Sequence, residues 1–506
     1  MRLFAVLILA AGAGIAQQLE PFRPPATPLV THDPYFSIWS FSDRLTEAAT
    51  RHWTGADHGL TGILRIDGKP YRFMGASVRV SAGGMQPGVM RQTKLEVLPT
   101  RTIYDFEEAG VQLTLTFFTP AFPEDLDVLS RPVTYVSFDV RSTSATTHDV
   151  QLYFDAYGSI AVNTPEQRLT MSRHRIGSIE AMRAGTAEQP ILQKSGDNLR
   201  IDWGYLYVAT AQSTGTQMLL HQPPARDRWI QSGKLPDEDD LESHVYSQRV
   251  QPRLITSFDL GQVGTAGIHR HILLAYDDLF SIQYFQRNLR PWWRRNGMGM
   301  ADLLRMAEEQ YPSLLARART FDEKLMSDLR KAGGEKYARI AVLAFRQTLA
   351  AHKLAADFNG SPVYMSKENF SNGSINTVDV TYPSAPFFLY FNPSLLKAQL
   401  TPILDYASLP RWPWPYAPHD LGTYPLANGQ TYGGGERSEE NQMPVEESGN
   451  MLILLAALGK KDGNADYALK YWPILEKWAA YLREKGLDPE NQLSTDDFAG
   501  HLAHNT

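Results

Sequence analysis

Apolar and polar residues alternate along the first half of the chain. Val111, Leu113, Leu115 and Phe117 are separated by Gln112, Thr114 and Thr116, and Val150, Leu152, Phe154 and Ala156 repeat the pattern. Alternation puts one apolar face on a core and one polar face toward water, as in antiparallel sheets. Turn signals at Asp67-Gly68, Gly83-Gly84, Pro87-Gly88 and Ser195-Gly196-Asp197 separate the runs. Residues 17–285 are therefore expected to form a β-sandwich domain.

Near residue 285 the period changes from two to between three and four. Leu314, Ala318, Phe321, Leu325 and Leu329 mark one face of a helix that Gly333-Gly334 should end. Residues 286–334 read as a helical linker. A second helix is expected over 335–356, with Tyr337, Ile340, Ala344, Thr348 and Ala351 on one side. Further helices are expected at 445–459 and 464–485, the latter with Tyr467, Tyr471, Leu475, Trp478 and Leu482 on one face. Helices paired through short turns make helical hairpins, so residues 335–506 read as a hairpin domain. Residues 357–444 show little amphipathic period. They are rich in aromatics, including Trp412-Pro413-Trp414-Pro415-Tyr416, and a long loop of that kind is expected to be functional. The sequence after Asp496 looks like the interior of a domain rather than a tail, and the exposed edge of an open hairpin array would be apolar.

Composition narrows the class. The 506 residues are 43% hydrophobic and 21% charged, with a net charge of −6 and no basic stripe, so nucleic acid is not an expected partner. Met1-Arg2, an apolar run from Leu3 to Ala11 and Gly14-Ile15-Ala16 read as a signal peptide cleaved near Ala16. That run is shorter than the ~20 apolar residues a membrane span needs. A secreted or periplasmic protein without a membrane anchor is expected. There is no cysteine, which excludes disulfides, thiol catalysis and thiolate metal ligation.

Four groups could carry chemistry. Glu368 and Asp379 lie eleven residues apart among amides and aromatics, either as a held carboxylate pair or as solvated loop acids. Pro418-His419-Asp420-Leu421-Gly422 offers two polar groups to one ligand. Adjacent His and Asp on a strand would point apart and not pair. Glu446 and Glu447 begin a helix, where acids favour the helix dipole. Thr495-Asp496-Asp497 precedes His501 and His504, a spacing open to a general acid or to a metal. No HExxH is present, and no metal or cofactor is expected. Ser394-Leu395-Leu396-Lys397 matches S-x-x-K without the S-D-N partner of that enzyme class.

Several long motifs resemble glutaminase A-type proteins: Val30–Ser40, Arg51–Gly55, Ser366–Pro386, Pro418–Gly435, Glu440–Asn450 and Asp496–Asn505. The resemblance covers essentially the whole mature chain. It implies an exported protein with an N-terminal β-sandwich and a six-hairpin (α/α) toroid, of which this chain holds the first part. It also implies hydrolysis of glutamine to glutamate and ammonia. A more distant resemblance is to six-hairpin glycosidases of the bile-acid β-glucosidase type. Glu368 is similar to their nucleophile, and Asp379 and Pro418–Gly422 to their sugar contacts. Asp497, two residues after Thr495, is similar to their general acid. The resemblance implies a two-carboxylate site of Glu368 and Asp497. Asp379, His419, Asp420 and Thr495 would hold the small-molecule substrate, glutamine or a glycoside, and Trp412 or Trp414 would lie at the rim.

Overall fold

The computed structural model describes residues 23–78, 84–242, 244–245 and 251–487. The leader and the Thr495, Asp497, His501 and His504 group lie outside the described residues. Among the described residues, no helix is long and apolar enough to cross a membrane.

The alternating segments form two large sheets, one of six strands and one of nine. In the six-stranded sheet, His148–Tyr157 is flanked antiparallel by Arg253–Val263 and Leu60–Ile66. In the nine-stranded sheet, Val111–Phe118 and Ile268–Asp277 flank Val133–Ser142. Leu64, Leu152 and Phe154 from one sheet meet Leu113, Leu115, Val136 and Phe138 from the other in a single core. Val111–Phe118 buries every second residue, as alternation requires. The N-terminal region is thus an antiparallel β-sandwich.

The expected linker is neither wholly helical nor a linker. Strands Ile282–Tyr284 and Arg287–Pro291 come first, and the helix, α1, spans Met300–Ala350. Its first half packs Leu303, Leu304, Ala307, Tyr311 and Leu314 on the outer face of the nine-stranded sheet, against Tyr135, Tyr207 and Leu273. α1 changes direction at Gly334, whose φ of 79° and ψ of −176° are not helical. The second half ends at Ala350, and the face it buries is Ala338, Val342, Phe345 and Leu349. The expected face was offset: Tyr337 and Ile340 are exposed. Helix position is set here by Val97 and Leu98 and by Phe387 and Phe391, which pack on the buried side.

A second departure lies in 357–444. This stretch contains three short strands and two helices, α2 (Val378–Phe391) and α3 (Pro393–Ala407). Pro383 and Pro386 lie inside α2 and Pro402 inside α3, which hides both helices from a reading that treats proline as a breaker. The strands join the two halves of the molecule. One six-stranded sheet runs Pro362–Ser366, His352–Ala356, Arg287–Pro291, Ile282–Tyr284, Leu426–Ala427, Gly422–Thr423. It continues the sandwich side of the chain into the hairpin side.

The last helices among the described residues are α4 (Pro444–Asp462) and α5 (Trp472–Lys485), with one turn at Asp466–Leu469 between them. The single helix expected over 464–485 is interrupted at Lys470-Tyr471, just before Pro473. α4 packs on α2 and α5. Tyr467 and Tyr471 tie this pair to α3 through Thr401 Oγ1 (2.9 Å) and Asp405 Oδ1 (2.9 Å). Leu452, Leu455, Ala468, Trp472 and Leu475 line an open apolar groove of about 670 Å³ between α4 and α5. Trp472, in this groove, is about half exposed, as are Ile453 and Leu469 elsewhere on these elements.

Candidate functional site

Three chain segments meet where the shared sheet faces the helix N-termini. The strand Pro362–Ser366 runs into Lys367 and Glu368. Thr377 caps α2 and puts Asp379 in its first turn. The loop 417–421 then brings His419 and Asp420 against that turn: Val378 N donates to His419 O at 2.8 Å.

Glu368 is almost wholly buried. Its backbone N donates to Ser374 O (2.9 Å), and its Oε2 accepts from Thr377 Oγ1 (3.3 Å). The neighbouring Lys367 Nζ donates to Asp197 Oδ1 (2.7 Å) and Glu368 O (3.1 Å), and lies 4.8 Å from the Trp53 ring centroid. Burial lowers the Lys367 ammonium from its ordinary range, and Asp197 opposes that shift. Asp197 and Trp53 belong to the sandwich side, so the site is built from both halves of the chain. Phe370 is 74% exposed, has a φ of 61°, and sets its ring edge-on to Trp53 at 5.0 Å.

His419 and Asp420 do pair, against expectation. They sit in a loop rather than a strand, and His419 Nδ1 lies 2.9 Å from Asp420 Oδ2. Asp420 also accepts from the backbone N–H groups of Gly422 (2.7 Å), Thr431 (3.0 Å) and Tyr432 (3.2 Å). Its oxygens are occupied by the loop, so Asp420 positions His419 rather than contacting a ligand. The His419 ring is stacked on Tyr432, with centroids 4.1 Å apart. Its Nε2 faces Asp379 Oδ2 at 3.6 Å.

Glu447 completes the cluster. It is fully buried in the first turn of α4. His419, Asp379 and Glu447 each offer a ligand atom, and these atoms all lie within 4.8 Å of one another. Asp379 Oδ1 and both Glu447 oxygens are buried with no hydrogen-bond partner. Burial, followed by the charge of Asp379, raises the Glu447 carboxyl well above its ordinary range. Burial pulls His419 down, but hydrogen bonds to Asp379 and Asp420 outweigh it and hold the imidazole above its ordinary range.

Of the expected site residues, Asp379, His419 and Asp420 converge, and Thr377 links Glu368 to the same turn. Trp412 does not sit at a rim. It is buried, packs on Tyr406 and Tyr416, and donates Nε1 to Tyr416 O (2.8 Å). Trp414 is half-buried and donates to Gly435 O. Ser394 is a surface residue at the start of α3, and Lys397 is paired with Asp462, so the S-x-x-K match is no site. Sequence reading missed Glu447 as a site residue. An acid in a helix's first turn already has an explanation in the dipole, and only the packing of α4 on α2 shows that this one points inward.

The arrangement defines a class: a β-sandwich joined through a shared sheet to helical hairpins, with a buried carboxylate–imidazole cluster at the hairpin N-termini. The chain belongs to the glutaminase A family. Residues 334–506 match the glutaminase A six helical-hairpin domain, and residues 100–328 and 14–80 match two domains of unknown function, DUF5127 and DUF4964. The chain is 32% identical to glutaminase A of Aspergillus oryzae, over 99% of its own length and 73% of that protein's. It is 25% identical to a glutaminase-named protein of Arthroderma benhamiae, over 96% of its own length and 64% of that protein's. Among solved structures it is similar to one described as a kojibiose phosphorylase from human microbiome. That match has 9% identity and a TM-score of 0.42, covering 85% of this chain and 53% of that one.

Proposed function

We propose that the protein is an exported, secreted or periplasmic hydrolase that converts glutamine and water to glutamate and ammonia. The observation that carries this reading is Glu368, a buried acid fixed by Thr377 beside the Asp379–His419–Glu447 cluster, in a chain of the glutaminase A family. In the reaction, Glu368 attacks the side-chain amide carbonyl or takes a proton from the attacking water. Asp497 protonates the departing ammonia. Asp379 and His419 hold the amino-acid end of the substrate, and Thr495 is a further substrate contact.

One observation favours a second reading, hydrolysis of a glycoside by the same two carboxylates. The exposed Phe370, set against Trp53, offers an aromatic platform near Glu368 on which a sugar ring could stack. Release of ammonia from glutamine is to be measured against release of aryl alcohol from aryl glycosides. The glutaminase reading expects turnover of glutamine, lost roughly a thousandfold in Glu368→Gln. Turnover of the glycosides alone would replace it with the second reading, and turnover of neither would leave a binding protein.

A further inference from the structure

The geometry points to a divalent-cation site of the zinc class at Asp379, His419 and Glu447. It revises the expectation of a protein without metal, and it gives Asp379 and His419 to the ion, which would then hold the substrate's amino-acid end in their place.

Three features of the cluster support a cation. The first is donor spacing. Zinc binds imidazole nitrogen and carboxylate oxygen at about 2.0–2.2 Å, which puts tetrahedral ligands roughly 3.4 Å apart. His419 Nε2 and Asp379 Oδ2 are already 3.6 Å apart, and all three donors lie within 4.8 Å. The second feature is the orientation of the imidazole. Asp420 engages Nδ1, which leaves Nε2 aimed at Asp379, and Asp420 is itself held by three backbone N–H groups. Metal-bound histidines are held in this way by a carboxylate on the other ring nitrogen.

The third feature is what remains unsatisfied. Asp379 Oδ1 and both oxygens of Glu447 are buried without a hydrogen-bond partner. Two such carboxylates lie beside one imidazole, all three side chains buried. A divalent ion bound here would take the place of the protons now held on Glu447 and His419 and would engage the carboxylate oxygens left without a partner. Three protein ligands leave a fourth position open, as in catalytic rather than structural zinc sites. The hard ions calcium and magnesium are poorer candidates, because they seek six or more oxygens and this site offers a nitrogen and two carboxylates.

The test uses the purified protein, stripped with chelator and dialysed. Zn²⁺, Mn²⁺ and Ca²⁺ are titrated separately, read by calorimetry and by thermal unfolding. Co²⁺ substitution gives a second readout through its visible absorption bands. The expected result is one Zn²⁺ per chain, a raised unfolding temperature, and tetrahedral Co²⁺ bands. All should be lost in Glu447→Gln and Asp379→Asn variants whose circular dichroism matches wild type. Because the chain has no cysteine, tight zinc cannot be thiolate-bound. Wild-type protein that binds none of the three ions more tightly than Glu447→Gln overturns the proposal. So does zinc binding that survives both substitutions, since that metal would sit elsewhere. Neither outcome depends on glutamine turnover, so this inference and the proposed reaction can fail independently.

Discussion

Lys353 lies buried between two carboxylates, with its ammonium 2.7 Å from Asp33 Oδ2 and 2.7 Å from Asp278 Oδ2. Burial alone would discharge it, but Asp278 and Asp33 hold it above its ordinary range. Asp33 also accepts from the backbone N–H groups of Tyr35 (2.9 Å) and Phe36 (2.8 Å). The triad joins the first strands, the end of Ile268–Asp277 and the shared sheet at one point. Replacing Lys353 by Met leaves two buried negative charges without a partner. The expected cost is about 3–5 kcal/mol, read from the urea midpoint at neutral pH. Adding Asp33→Asn and Asp278→Asn to Lys353→Met should recover much of it, because the charges are then gone. At this scale the sequence was informative only where a motif was local. Glu368, Asp379 and His419 stood out through the family resemblance of their short motifs; the fold brings His419 and Asp379 within 3.6 Å, and Thr377 ties Glu368 to the turn that holds Asp379. Lys353 and Glu447 carried no such signal: their partners lie far away in the chain, and a helix-start acid or a strand lysine is ordinarily solvated.

Gly334 sets the angle between the two halves of α1. One half lies on the sandwich, and the other leads into the shared sheet. Its φ of 79° and ψ of −176° are a conformation that only glycine adopts without strain. A Cβ added there would meet nothing within 4 Å, so the cost of Gly334→Ala is conformational rather than steric. The expected loss is about 1–3 kcal/mol, seen as a lower thermal midpoint with unchanged secondary-structure content. A substitution that left the midpoint in place would mean that the kink bears no load. The two glycines were visible as a break, and the alternating strands were visible as a sandwich, because both signals are local. The shared sheet was not. His352–Ala356 is buried at every position and so has no period of two. Several of its partner strands are only two or three residues long. The prolines of α2 and α3 hid helices whose sides are held by packing, not by propensity.

Across the whole molecule, the junction between sandwich and hairpins is lined with neutral histidines. His32 stacks on Phe36 and bonds Thr134 Oγ1 (2.9 Å), His52 bonds Pro34 O (2.9 Å), and His352 stacks on Tyr364 and bonds Thr348 O (2.6 Å). Burial lowers His32 and His52 to about 3 and His352 to about 4. The unfolded chain takes up these protons near pH 6.5, while the folded chain refuses them until far lower. Their contribution is therefore complete above pH 6.5 and is lost as pH falls from there toward 3–4. Each histidine adds a slope of up to about 1.4 kcal/mol per pH unit. Asp277 works the other way: raised to about 6 by burial, it gains stability as pH falls from 6 toward 4. The histidine part is isolated by comparison. Urea midpoints at pH 7.5, 6.5, 5.5 and 4.5 are measured for wild type, His32→Asn and His352→Asn. The variants should start less stable, because ring packing is lost, but fall less steeply below pH 6.5. Parallel profiles would mean that the folded protein takes up these protons as readily as the unfolded chain does, so that burial does not hold the rings neutral.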